Sequence, residues 1–206
     1  MTNAGWFIGL ELAPDHSALS VVQRIFERGK IFCFVNSCSY VETNYGRMAV
    51  TINATAEQFH YQENNVKALI VNSTTVGRPI VNLLKSGLVV ESTHFLNVLS
   101  WCIEDRQSNP WRIPILDIVG AMQVLMQTGQ FRIEQHPFAE FAIDRSVLSN
   151  ALREFKVEVT ASPTGTPGVW GEGPHRALVM SVAIACWAAI HPDLYPTSTD
   201  QSAMLT

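Results

Sequence analysis

Near the amino terminus, short apolar runs alternate with turn residues. Residues 6–12, Trp-Phe-Ile-Gly-Leu-Glu-Leu, predict a mostly apolar strand whose one charge, Glu11, stands near its carboxyl end. Residues 17–27 predict a second strand, Arg28-Gly29-Lys30 a hairpin turn, and residues 31–39 a third strand. Together they make an antiparallel meander. Val50, Ala54 and Phe59 lie near one face of a helix over residues 48–62. Residues 67–71 predict a strand. A helix then starts at Val76-Gly77-Arg78-Pro79 and runs to about Ser86, with Pro79 suited to the first turn and Gly87 to a cap, and residues 88–91 predict another strand. Residues 67–91 thus read as a βαβ unit. Ile118, Met122 and Leu125 form one stripe of a helix over residues 115–127, which Gly129 stops. Further on, residues 131–133 predict a short strand, 137–155 a mostly helical stretch, 156–160 an alternating strand, 162–173 a Pro- and Gly-rich loop, and 174–190 a last, apolar helix. Residues 95–109 follow neither period. Residues 192–206 read as a frayed tail, leaving a single domain over 1–191. The class is α/β with a mixed sheet.

Composition narrows this little. Of 206 residues, 47% are hydrophobic and 16% charged, with a net charge of −4, which excludes a disordered chain and supplies no basic footprint for nucleic acid. The apolar stretch 177–190 is shorter than the ~20 residues of a membrane-spanning helix. No basic segment precedes an apolar run at the amino terminus, so no signal peptide and no membrane association are expected. Cys33, Cys38, Cys102 and Cys186 lack CxxC spacing and read as free thiols in a reducing compartment.

Three places could carry chemistry, each at the end of a regular element: Glu11, Asn72, and Glu172-Gly-Pro-His175-Arg176. Around them, Gly9-Leu-Glu11-Leu with Asp15-His-Ser-Ala-Leu19 resembles the opening of the nuclease domain of phage terminase large subunits, Gly-x-Asp-x-Gly and then Asp-x-(Ser/Thr)-Ala. Val71-Asn-Ser-Thr-Thr-Val-Gly-Arg-Pro79 resembles that family's Val-Asp-Ala-Thr-Gly-Val-Gly-Arg-Pro. Trp111-Arg-Ile-Pro114, the helix 121–127 with Gly129-Gln-Phe-Arg-Ile133, and Leu152-Arg-Glu-Phe-Lys-Val157 follow in order. Trp170-Gly-Glu-Gly-Pro-His175 resembles the closing Glu-Gly-x-His-Asp-Asp-Leu. The resemblance spans nearly all of residues 6–190. It implies an RNase H-like fold: a central mixed sheet of about five to six strands, an antiparallel meander plus parallel strands, with helices on both faces.

The resemblance also implies a two-metal nuclease, in which carboxylates hold divalent ions about 3.5–4 Å apart against the phosphodiester. The sequence departs from it at each matching position. Glu11 replaces one Asp, Asn72 a second, and Arg176 and Ala177 the closing pair. Four carboxylates become one carboxylate and one guanidinium, which cannot shed its proton. A nuclease-like pseudoenzyme is therefore expected, with no metal and no cofactor. Arg176 is expected to pair with Glu11 across the former metal position. The alternative is an active Mg²⁺- or Mn²⁺-dependent DNA endonuclease with a substitute site drawn from Asp15, Glu172 and His175 beside Glu11.

No Gly-x4-Gly-Lys-Ser/Thr run occurs, so neither ATP binding nor DNA translocation is expected. The expected protein is a stand-alone, terminase-nuclease-like chain of phage or prophage origin in the bacterial cytoplasm. Its expected partners are DNA or phage packaging components.

Overall fold

The computed structural model describes residues 5–13, 16–42, 44–63, 66–73, 78–88, 93–99, 112–134, 143–160, 168–172 and 175–191. Strands β1 (Gly5–Glu11), β2 (Ser17–Glu27) and β3 (Lys30–Val41) form the expected meander. Helix α1 (Tyr45–Glu63) leads to β4 (Val66–Asn72), α2 (Arg78–Gly87), β5 (Thr93–Leu99) and β6 (Arg112–Pro114). Helix α3 (Ile115–Gln127), β7 (Phe131–Ile133), α4 (Arg145–Glu154), β8 (Lys156–Thr160), β9 (Gly168–Glu172) and α5 (Arg176–Ile190) complete the order. Among the described residues, seven strands make one sheet, β6-β5-β4-β1-β2-β3-β7, and β8 and β9 pair separately. The strand count exceeds expectation because β6 and β7, three residues each, extend the two edges. Within the sheet, β4, β5 and β6 run parallel to β1, and β7 runs parallel to β3.

Strand alternation sends successive side chains to opposite faces. Trp6, Ile8 and Leu10 of β1, with Leu69 and Val71 of β4, join a core with Met48, Ile52 and Phe59 of α1 and Leu84 of α2. Phe7, Ala68 and Ile70 join the larger core on the other face, under α5, α3 and α4. Helix α5 is apolar all round, and residues Ala177 to Ala189 are all buried, as a helix between a sheet and other helices requires. It lies very close to β1. A Cβ placed on Gly9 would stand 2.1 Å from the Ser181 carbonyl oxygen.

Several expectations need correction. The βαβ unit exists, and its second strand among the described residues is Thr93–Leu99. Leu88 is outside any strand, and 89–91 lie outside the described residues. Gly87 is not a left-handed cap; it ends α2 in close contact with α1, where a Cβ would meet that of Ala49 at 3.2 Å. Of the helical stretch read over 137–155, residues 137–142 lie outside the described residues, 143 and 144 are not helical, and α4 begins at Arg145, where the Asp144 carboxylate accepts the Ser146 N–H at 2.7 Å and caps the first turn. The loop read over 162–173 contains β9, paired antiparallel with β8. Gly129, by contrast, terminates α3 as expected, with φ 68° and the Gln130 N–H donating to the Leu125 carbonyl. Cys33, Cys38 and Cys186 are free and buried, whereas Cys102 and the tail 192–206 lie outside the described residues. No described helix is long and apolar enough to cross a membrane.

Candidate functional site

Glu11 falls on the same face of β1 as Phe7 and Gly9, the face that α5 covers. In the parallel pairing it stands opposite Asn72, the last residue of β4. The close approach at Gly9 brings Ser181 over the middle of β1, and the first turn of α5 then lies over the strand's carboxyl end. Strand period and a glycine that admits the helix thus bring Arg176 above Glu11, and the parallel register adds Asn72 beside it.

There the Asn72 amide Nδ2 donates to Glu11 Oε2 at 2.5 Å. Arg176 Nη1 stands 3.2 Å from Glu11 Oε1, so the expected pair is formed. Glu11 is fully buried, whereas the Arg176 side chain is 30% exposed. Oε1 has the guanidinium at 3.2 Å but makes at best a weak, poorly aligned hydrogen bond with it. Burial pushes the Glu11 carboxyl up to about 7 from 4.5, and the Arg176 charge, the Asn72 hydrogen bond and a weaker one from Arg176 only partly pull it back. Desolvation thus outweighs pairing, the usual balance for a buried ion pair.

The remaining candidates scatter. Ala177 is in the core and has no ligating atom. Asp15 lies outside the described residues. Glu172 ends β9 opposite Lys156 in register. His175 precedes α5 and makes no side-chain cap. Its Nδ1 is instead 2.6 Å from the Tyr40 hydroxyl, and the His16 ring centroid is 5.6 Å from that of Tyr40. Nothing in the local sequence pattern marks Tyr40 or His16 as a neighbour of this site. Behind them, Ser20 and Ser181 share a buried 2.5 Å hydrogen bond, and Ser20 donates to the Cys38 sulfur.

These residues do not fit a two-metal centre. They supply one carboxylate, an amide whose nitrogen is turned toward it, and an alanine. A guanidinium already sits at contact distance from the carboxylate, and two like charges about 4 Å apart repel by about 4 kcal/mol at an effective dielectric constant of about 20. Among the described residues, no group of three or more His, Cys, Asp or Glu side chains is placed to hold a metal ion. What the arrangement can do is tie β1, β4 and the start of α5 together.

No protein-family model and no curated protein sequence matches the chain. Solved structures do match in fold, among them nuclease domains of terminases. The human cytomegalovirus terminase nuclease domain, solved after a manganese soak, aligns with a TM-score of 0.54 and 12% identity, covering 89% of this chain and 82% of that one. A second structure of the human cytomegalovirus terminase nuclease domain gives 0.53 and 12%, over 95% and 89%. The large terminase domain of bacteriophage Sf6, solved with calcium, gives 0.50 and 10%, over 93% and 90%. The fold of this chain is the terminase-nuclease fold.

Proposed function

We propose that this chain is a terminase-nuclease-like protein of phage or prophage origin, related to DNA packaging. Its two-metal centre has degenerated, and it acts as a binding or structural module in the bacterial cytoplasm. Its partners are DNA or phage packaging components, and it uses neither metal, cofactor nor ATP. One observation carries the reading: the Arg176 guanidinium lies 3.2 Å from Glu11 Oε1, with a cation of the chain's own where a nuclease of this fold would need carboxylates.

Plasmid nicking tests it. Purified protein, shown to be folded, is incubated with supercoiled DNA and Mn²⁺ or Mg²⁺ beside Glu11→Ala. The reading expects both proteins to leave the plasmid intact. Nicking by the unaltered chain that disappears in Glu11→Ala would replace it with a metal-dependent endonuclease.

A further inference from the structure

We infer that Arg176 is a tethered cation that keeps divalent metal off Glu11 and Asn72, so that this end of the sheet is a one-ion site closed from within. The inference rests on the metal-free reading above and adds that the oxygens left behind remain able to hold a cation once the guanidinium is gone.

Three observations support it. Glu11 Oε1 is fully buried and lacks a well-aligned hydrogen bond, although Nη1 is 3.2 Å away. A buried acceptor in that state is poorly satisfied, and a spherical ion, which has no N–H direction to align, would suit it better than a misaligned guanidinium. Second, Asn72 is the direct register neighbour of Glu11 and already touches its carboxylate, so its amide carries a second oxygen donor to the same place. Third, the Arg176 side chain is 30% exposed, so it reaches the carboxylate from the rim. Shortening it opens the gap to water instead of sealing a cavity. One carboxylate, one amide oxygen and several waters are a donor set for a hard divalent ion bound weakly, and Mn²⁺ tolerates such a set best.

The test is a Mn²⁺ titration of the full chain followed by water-proton relaxation, with thermal melting as the check on folding. Five proteins are compared: the unaltered chain, Arg176→Lys, Arg176→Gln, Arg176→Met, and Arg176→Gln combined with Glu11→Gln. The uncharged Gln and Met variants should bind Mn²⁺ saturably, with a half-saturating concentration at least about tenfold below that of the unaltered chain. Arg176→Lys should behave like the unaltered chain, and the double variant should lose the binding. Folded Gln and Met variants that bind no Mn²⁺ would overturn the inference and leave the metal-free reading standing. An unaltered chain that binds as tightly as the variants would overturn both. Failure of both uncharged variants to fold would also overturn it, since Arg176 would then be an indispensable brace and not a removable competitor.

Discussion

Each end of α5 meets an arginine, and the two ends obey different rules. At the carboxyl end, Arg24 of β2 is 5% exposed, donates from Nη1 to the Ala189 carbonyl at 3.2 Å, and lies 5.2 Å from the centroid of the Phe7 ring. A cation is favoured there, because the last carbonyls of a helix are unpaired and carry partial negative charge. At the amino end, Arg176 sits in the first turn, where the helix already presents partial positive charge. Nothing in the helix favours it, and the Glu11 carboxylate answers its charge. Arg24 is thus explained by folding physics alone. Arg176 breaks a local rule and is explained only by what lies across from it, and such violations concentrate at sites with a functional history.

The sharpest way to break the comparison is to push the helix off the strand that aligns both ends. Gly9→Ala places a Cβ 2.1 Å from the Ser181 carbonyl oxygen and 2.9 Å from the Ala185 nitrogen. A loss of about 4 kcal/mol in urea unfolding is expected. Next is the pH dependence of the amino end. The Glu11 carboxyl titrates near 7 when folded against 4.5 as its ordinary value, so the folded state holds the proton more tightly. The stability this supplies is fully present below about pH 4.5 and is lost as pH rises through about 7, about 3 kcal/mol in all. Urea unfolding from pH 5 to 8 should show that decline in the unaltered chain and a flatter profile in Glu11→Gln. At the carboxyl end, Arg24→Ala should lower stability by about 2 kcal/mol by leaving the Ala189 carbonyl without its charged donor, with little change between pH 5 and 8. The smallest effect is expected for Tyr40→Phe, which removes the hydroxyl 2.6 Å from His175 Nδ1 at an exposed position. Its stability should change by under about 1 kcal/mol, checked by the same unfolding curves.

Much of the fold was legible in local pattern. The ranges 17–27, 115–127, 131–133 and 156–160 match their elements, because alternation, the helical stripe and turn glycines all agree there. The misses have physical reasons. Strand β9, Gly-Val-Trp-Gly-Glu, carries two glycines and follows a Pro- and Gly-rich stretch, so only its pairing with β8 makes it a strand. Strand β5 has His94 and Asn97 among its apolar residues and is held by β4. At the site, Glu11, Asn72 and Arg176 were legible because they stand at the ends of elements and depart from a recognisable pattern. Tyr40 was not. A register shift between Val21 and Val22 in the β2–β3 pairing brings Tyr40 opposite Ala18, which itself pairs with Glu11. Counting back from the hairpin without that shift leaves Tyr40 on the other face of the sheet, and nothing in the local residue pattern announces the extra residue.

The account stands or falls on where the Arg176 guanidinium goes when metal is offered. A crystal of the full chain soaked in Mn²⁺, with anomalous scattering recorded, answers that directly. The prediction is a guanidinium within about 4 Å of the Glu11 carboxylate and no manganese peak at the carboxyl ends of β1 and β4. A manganese ion bound by Glu11, with Arg176 turned away from it, would contradict the account.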